Sequence, residues 1–352
     1  MLGMSITCTK LIDLLNSSIE KCIEEGSDSI LLSGGLDSSI LAALLSLSKS
    51  NYNYNDKGSI TAICIGHSNA KDLVHASMVA DRFKIRCILE HVSVDDILGD
   101  AVPNVIRIMK TFDPMEIRNS SVLYLALKRL SSNGYKYAMT GDGSDEIFAG
   151  YNYMLRMSYE ELRHELSRLE SIMHFSSIDI ARYLGIRVSL PYLNSRLIDY
   201  ARSIPIEMKV NEYNGKRYGK FILRVCFEHI LGKDIAWRDK MPMEQGANTS
   251  IIKDYLNSII EDSYFSSKRS YYISNEHVSI RDKEHLYYYE VYRRFFDPPY
   301  RTANRKTDTD DYLEHKYRYK CPSCYSYINS DARFCRVCGA YPIKPITNNL
   351  VS

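Results

Sequence analysis

A loop rich in glycine and hydroxyl side chains lies between an apolar run and a helical pattern near the start of the chain. It spans residues 33–39, reads SGGLDSS, and follows the apolar residues 30–32. Unpaired N–H groups and the positive dipole end of a helix bind phosphate, and residues without a Cβ let the backbone approach it closely. The spacing predicts a phosphate-binding loop in which Asp37 holds Mg²⁺. A plain strand–turn–helix corner with a serine cap is the structural alternative.

A second group of candidate residues, Asp142, Asp145 and Glu146, is acidic and follows the apolar stretch 137–140. Ligands of open α/β sheets bind at the carboxyl ends of strands, where this group is expected to lie. Crowded carboxylates are unfavourable without a cation, which predicts a Mg²⁺–pyrophosphate site that includes Asp37 and Asp145. The alternative is an acidic turn that caps the following helix.

The third group consists of two CxxC pairs near the C-terminus, Cys321 with Cys324 and Cys335 with Cys338. Four thiolates in two such pairs are typical of one tetrahedral Zn²⁺ with a structural role. A segment this short buries little apolar surface, so the metal is expected to supply its folding energy. A redox-active dithiol pair remains the alternative.

The elements that must position these residues follow from the hydrophobic pattern. Short apolar runs alternate with amphipathic stretches over the first 150 residues, which is typical of an α/β fold with a parallel sheet and helices on both faces. The predicted strands are 29–32, 59–65, 85–92 and 137–140, and the predicted helices are 38–48, 71–83, 97–109 and 120–130. The pattern from 152 to 259 is mostly helical. The predicted organisation is a domain at 1–299, a linker at 300–320 and a small zinc ribbon at 321–341.

Composition limits the partners and the cellular compartment that can be expected for the chain. The chain has 352 residues, 25% of them charged, and a net charge of +2, which gives no sign of a nucleic-acid or membrane partner in bulk. We find neither a secretory signal nor an apolar stretch long enough to cross a bilayer. The other five of the nine cysteines are scattered singly, which favours a reducing cytoplasm and unpaired thiols.

The first two motifs resemble those of a known family. SGGLDSS is similar to the pyrophosphate loop of the N-type ATP pyrophosphatases (PP-loop enzymes), and GDGSDEIFAGY resembles the SGEGSDE segment in the synthetase domain of asparagine synthetase. Further blocks follow in the family's order over about residues 10–297, among them Pro191-Tyr192-Leu193 and Trp237-Arg238-Asp239-Lys240. The resemblance implies an adenine nucleotide alpha hydrolase-like fold with a helical C-terminal half.

The resemblance also implies roles for individual residues, with ATP and Mg²⁺ as cofactors. The residues expected to bind the adenosine are Leu31, Ile65, Thr140 and Gly141. Those expected to bind the pyrophosphate are Ser33, Gly34, Gly35, Asp37, Ser38 and Ser39. The expected catalytic residues are Lys240, Asp142, Asp145 and Arg118. Lys240 matches the family lysine that stabilises the charge on the α-phosphorus and the leaving pyrophosphate, where electrostatic stabilisation is strongest.

The sequence differs from the family in the parts expected to supply nitrogen and to bind the amino-acid substrate. Only 32 residues precede Ser33, so we expect the family's glutaminase domain to be missing and nitrogen to come from ammonia, a separate glutaminase subunit or another amine. Asp142 replaces a family glutamate, Ser189 replaces an arginine, and Met115-Glu116 replaces a threonine pair. Losing an arginine that grips a carboxylate is not a neutral change, so ATP activation is better supported than aspartate as substrate.

Three functions follow from these observations. The leading hypothesis is an amide-forming ligase that adenylates a carboxylate (aspartate by resemblance, giving asparagine) and releases AMP and pyrophosphate. The second is a PP-loop enzyme that modifies RNA or another macromolecule presented by the zinc ribbon. The third is a catalytically silent nucleotide-binding scaffold. The ribbon itself is expected to contact RNA or protein, or only to stabilise the chain.

Overall fold

The protein is described by a computed structural model that covers residues 2–48, 60–302 and 319–347. The described residues form two compact units, the first from those that lie within 1–92 and 125–247, the second from those that lie within 93–124 and 248–352. Residues 303–318, most of the predicted linker, lie outside the described residues. The boundaries at 299 and 321 stay predictions.

The first unit is built on a parallel sheet in which, among the described residues, five strands are ordered β3-β2-β1-β4-β5. The strands are β1 Ser29–Leu31, β2 Thr61–His67, β3 Cys87–Val92, β4 Tyr137–Met139 and β5 Arg187–Ser189. Strand β2 pairs with one edge of β1 and β3 pairs with β2, whereas β4 pairs with the other edge of β1. The order of strands therefore reverses between β1 and β4, which is where ligands bind in such sheets. The predicted α/β class with a parallel sheet is confirmed.

The helices of the first unit cover this sheet and extend beyond it. They are α1 Leu2–Glu24, α2 Leu36–Ser48, α3 Lys71–Phe83, α6 Ser144–Phe148, α7 Tyr159–Ile172, α8 Ser176–Tyr183, α9 Ser195–Ser203, α10 Ile206–Lys209, α11 Phe221–Leu231, α12 Lys233–Ala236 and α13 Met243–Gly246. A hairpin of β6 Val210–Tyr213 and β7 Lys216–Gly219 precedes α11. Residues 40–45 of α2 are all buried, because this apolar helix packs against β1, α1, α3 and α11.

The second unit contains the remaining helices and a small antiparallel sheet. The helices are α4 Val102–Met109, α5 Pro114–Ser132 (which continues into the first unit), α14 Ile251–Ile259, α15 Asp262–Glu276, α16 Lys283–Tyr292 and α17 Pro299–Thr302. Its strands β8 Tyr319–Lys320, β9 Tyr327–Ile328 and β10 Ile346–Thr347 pair in the order β10-β8-β9. We call residues 319–347 the cysteine ribbon.

The four strands and four helices predicted over the first 150 residues are present; the helix at 71–83 has the predicted bounds, and the ends of the other elements are shifted. Residue 59, at the start of one predicted strand, lies outside the described residues. The predicted helix 97–109 begins as a π-helix at Asp96–Ala101 and continues as α4. No described helix combines the length and the apolar character that a membrane crossing requires.

One expectation about the cysteines was wrong. Cys8 on α1 and Cys226 on α11 form a disulfide with their Cα atoms 5.0 Å apart, whereas the scattered pattern favoured single thiols. The two residues are 218 positions apart and meet only because α1 and α11 pack together, so no local spacing marks them. Cys22, Cys64 and Cys87 are free, as expected.

Candidate active site

The loop predicted to bind phosphate connects β1 to α2, which begins at Leu36. The Ser33 and Ser38 hydroxyl oxygens lie 3.2 Å apart, and the Gly35 N–H donates to Ser33 Oγ at 3.3 Å. Ser38 donates in turn to the Gly35 carbonyl oxygen at 3.3 Å. These local bonds shape the loop and bring its hydroxyl groups to the N-terminus of α2, an arrangement that suits an anion.

Gly34 is the residue that fixes the path of this loop. Its φ is +67°, and a Cβ atom here would lie 2.5 Å from the carbonyl carbon of His75 on α3. Arg238 donates to the Gly34 carbonyl oxygen at 2.8 Å and pairs with Asp72 at 3.4 Å. Burial raises the pKa of Asp72 to about 6, although Arg238 opposes the shift. Helix α3 and Arg238 together hold the loop backbone in place.

We expect Gly34→Ala to destabilise the protein by about 3 kcal/mol, because the left-handed conformation and the overlap with His75 both cost free energy. The matched control is Gly35→Ala, whose Cβ would meet only Ser33 Oγ at 3.3 Å. Denaturant unfolding measures both, and the control is expected to lose less than about 1 kcal/mol. Equal losses in the two variants would contradict this account of the loop.

Two aspartates and two lysines meet beside the loop. Lys220 contacts Asp37 and lies 2.7 Å from Asp145 Oδ1, and Lys240 lies 2.5 Å from the same oxygen. Ser144 donates to Asp37 Oδ1 at 2.7 Å. Asp37 opens α2 after β1, and Asp145 lies at the start of α6 after β4, so the pairing of β1 with β4 brings them together.

The charges in this group stabilise one another. Burial by itself raises the pKa of Asp145, but Lys220 and Lys240 outweigh it and hold that pKa well below its usual range. Burial lowers the pKa of Lys220, and the two aspartates more than offset this, so that pKa is raised. Asp145 and Lys220 are therefore both charged at neutral pH.

Lys220 was missed by sequence reasoning. Its side chain is only 5% exposed, and it lies 183 residues from Asp37 in the chain. The available signal is a lysine directly before the apolar run 221–223, where a charge is expected to be buried and paired. The blocks that resemble the family stop at Lys216 and resume at Ile222, on either side of it.

The other predicted catalytic residues have different surroundings. Asp142 is half-buried and accepts a hydrogen bond from Ser177 Oγ at 2.5 Å, and desolvation raises its pKa. Arg118 belongs to the second unit, where it forms an ion pair with Glu284 at 2.6 Å. The structure thus groups Asp145 with Lys240 and gives Asp142 a serine partner, and all the catalytic roles stay predictions.

The residues predicted to bind adenosine lie at or near the carboxyl ends of neighbouring strands. Leu31 is the last residue of β1, Ile65 lies on β2 beside it, and Thr140 follows β4 on the other side. Gly141 lies against Asp37, whose Cβ would be 3.0 Å from a Cβ on the glycine. All four lie at the carboxyl edge of the sheet, next to the loop.

The donor atoms of Asp37 and Asp145 fit the predicted Mg²⁺. Both are carboxylates, the hard oxygen ligands that Mg²⁺ prefers, and both approach one cationic atom, the ammonium of Lys220. The pair is therefore close enough to bind one cation jointly.

The four cysteines of the ribbon also fit a metal ion, both in the type of their donor atoms and in how close these atoms lie. All are buried, and their sulfur atoms lie within 4.8 Å of one another. Cys321 Sγ is 3.7 Å from Cys338 Sγ, and Cys324 Sγ is 3.7 Å from Cys335 Sγ. Tetrahedral Zn²⁺ with Zn–S bonds of about 2.3 Å places its sulfurs about 3.8 Å apart, and a disulfide needs about 2.05 Å. The tetrad is therefore arranged for one metal ion.

Comparison with known proteins identifies relatives for most of the chain. The family model for asparagine synthase matches residues 10–177 and 178–313, which leaves the tetrad outside the matched region. A probable glutamine-hydrolysing asparagine synthetase from Dictyostelium discoideum is 32% identical over 267 residues, covering 69% of this chain and 47% of that protein. Asparagine synthetase B from Escherichia coli is 30% identical, covering 77% of this chain and 50% of that protein. The chain spans about half the length of the curated relatives it matches.

A solved structure of a U34-tRNA thiolase from Methanococcus maripaludis is also similar, at 13% identity and a TM-score of 0.31. The aligned region covers 78% of this chain and 82% of the thiolase chain.

Proposed function

This chain belongs to the asparagine synthase family, and from that premise we propose that it is an ATP-dependent ligase that adenylates a carboxylate and then forms an amide. The substrate proposed from the family is aspartate, which would give asparagine, with nitrogen from ammonia or a separate glutaminase subunit. The observation that carries the proposal is the group of two aspartates and two lysines beside the glycine loop, at the point where the strand order reverses.

In the proposed reaction the loop residues 33–39 bind the β- and γ-phosphates of ATP at the N-terminus of α2. Mg²⁺ held by Asp37 and Asp145 would neutralise phosphate charge. A carboxylate oxygen of the substrate attacks the α-phosphorus, the bond to the bridging oxygen breaks, and pyrophosphate leaves. Lys240 and Lys220 are positioned to stabilise the negative charge that develops on the transferred and leaving phosphates. The nitrogen nucleophile then displaces AMP from the acyl adenylate.

The test is a screen of carboxylates for ATP–pyrophosphate exchange and AMP formation. We expect aspartate to support exchange, and ammonium, or glutamine with a separate glutaminase, to be needed for amide formation. Turnover of ATP to ADP and inorganic phosphate alone would contradict the proposal, because it breaks a different phosphate bond.

We also propose that the cysteine tetrad binds one structural Zn²⁺. A Cys335→Ser variant is expected to lose most of its bound zinc, because a hydroxyl is a much poorer zinc ligand than a thiolate. Zinc content of the full chain by elemental analysis measures this, with Cys87→Ser, a free cysteine outside the tetrad, as the matched control. Equal zinc content in both variants would remove the tetrad as the site.

The cytoplasm is the proposed location. A reducing compartment suits a thiolate metal site and the free thiols of Cys22, Cys64 and Cys87. The disulfide between Cys8 and Cys226 is not what a reducing compartment predicts.

A further inference from the structure

The cysteine ribbon is held against the rest of the second unit by a specific set of hydrogen bonds. Thr111 Oγ1 donates to the Arg336 carbonyl oxygen at 2.7 Å, and the Phe112 N–H donates to the Val337 carbonyl oxygen at 2.8 Å. Arg281 donates to the carbonyl oxygens of Cys338 and Gly339, at 3.0 and 2.5 Å. Each carbonyl oxygen belongs to the second CxxC turn or to the glycine after it, so the path of that turn decides whether these bonds exist.

The same turn approaches the second unit too closely for any other residue at one position. Gly339 has a φ of +70°, and a Cβ atom on it would lie 2.1 Å from Asp113 Oδ1. The first CxxC turn makes one further contact, since the Ser279 N–H donates to the Ser323 carbonyl oxygen at 2.8 Å. The ribbon is thus seated on two segments, 111–113 and 279–281, that are distant in sequence.

Each of these segments leads directly into a helix that carries one member of the Arg118–Glu284 ion pair. Helix α5 begins at Pro114 and contains Arg118, and α16 begins at Lys283 and contains Glu284. Glu284 is 1% exposed and also accepts a hydrogen bond from Tyr288, so the pair is buried and its geometry depends on how the two helices begin.

We propose that the metal-bound ribbon positions the Arg118–Glu284 pair by clamping the two segments from which these helices start. The ribbon is then a positioning element for the second unit rather than a free recognition module. The inference rests on the proposed zinc site; it does not depend on the proposed ligase reaction, although Arg118 is one of the residues predicted to take part in that reaction.

Hydrogen exchange followed by mass spectrometry on the full chain tests the clamp. Removing zinc with a chelator is expected to lower the protection of peptides covering 111–118 and 281–288 on the order of tenfold, together with that of the ribbon, and to leave residues 29–45 of the first unit unchanged. Loss of protection in residues 319–347 alone would show that the ribbon is only an appendage, and would overturn the proposal.

Two substitutions outside the cysteines test the contacts of the ribbon without removing a metal ligand. For each variant, hydrogen-exchange protection is measured in the segment that does not contain the substitution. Arg281→Ala, with zinc content checked, is expected to lower protection at 111–118, and Thr111→Val to lower it at 281–288. Thr111→Ser retains the hydroxyl donor and is expected to restore protection. Arg269→Ala on α15, an exposed arginine, is the matched control. Wild-type protection in both test variants would refute the clamp, whether or not the chain adenylates a carboxylate.

Discussion

Replacing Lys240 by methionine is expected to lower ATP–pyrophosphate exchange by a factor of about 10²–10³ while ATP still binds. The Lys240 ammonium lies 2.5 Å from Asp145 and is 26% exposed, so it reaches the carboxylates from a partly open position. Methionine retains most of the length and removes the charge. Exchange rate at saturating ATP and ATP affinity are the two measurements, because the proposed role concerns charge that develops only as pyrophosphate leaves.

The control for Lys240→Met is Lys233→Met. Lys233 is a lysine of the same unit, 75% exposed, whose nearest carboxylate partner, Glu228, is 4.0 Å away. This control is expected to exchange at the wild-type rate. An exchange rate in Lys240→Met within about twofold of wild type would remove Lys240 from the proposed mechanism, since even one lost hydrogen-bond donor at such a site costs more.

The part of the site that could be predicted from sequence is the part that local pattern determines. The loop 33–39 and the acidic segment 142–146 each follow a strand, and the rule that ligands bind at the carboxyl ends of parallel strands was enough to expect them together. The cysteine tetrad was also predicted from local pattern, because the spacing of two CxxC pairs is by itself typical of a metal site.

The rest of the site depends on contacts between residues far apart in the chain. Lys220 joins the aspartates through packing of α11, and Ser177 reaches Asp142 from α8, a helix for which no role was predicted. No local spacing records such contacts, because they depend on how buried helices pack. The same limit explains the missed disulfide, and it explains why the motif for the ribbon did not reveal the segments on which it is seated.

Asp145→Asn is expected to destabilise the folded protein by about 3 kcal/mol and to abolish exchange. Removing one partner of a buried ion pair leaves an uncompensated charge, at a cost of about 3–5 kcal/mol. The lower end applies here because Lys220 still contacts Asp37 and Lys240 is partly exposed. Urea unfolding of wild type and variant at neutral pH measures the loss, and exchange measures the activity.

The pH dependence of this loss follows from the direction of the pKa shift. Because the pKa of Asp145 is lower in the folded protein, its stabilisation is complete well above the unfolded pKa of about 3.9 and is lost as the pH falls toward the folded value. The difference in unfolding free energy between wild type and Asp145→Asn is therefore expected to shrink below about pH 4. A difference that stays constant or grows as the pH falls would contradict the assigned ion pairs.

Two further variants separate folding from chemistry. Adding Lys220→Met to Asp145→Asn removes the cation that still contacts Asp37, so we expect a further loss of stability while exchange stays abolished. Asp234→Asn is the surface control, since Asp234 is 48% exposed and pairs with Arg82 at 2.8 Å, and it is expected to cost less than about 1 kcal/mol. A double variant as stable as Asp145→Asn alone would mean that the contact between Lys220 and Asp37 adds nothing to stability, and would contradict the ion pairs assigned to this group.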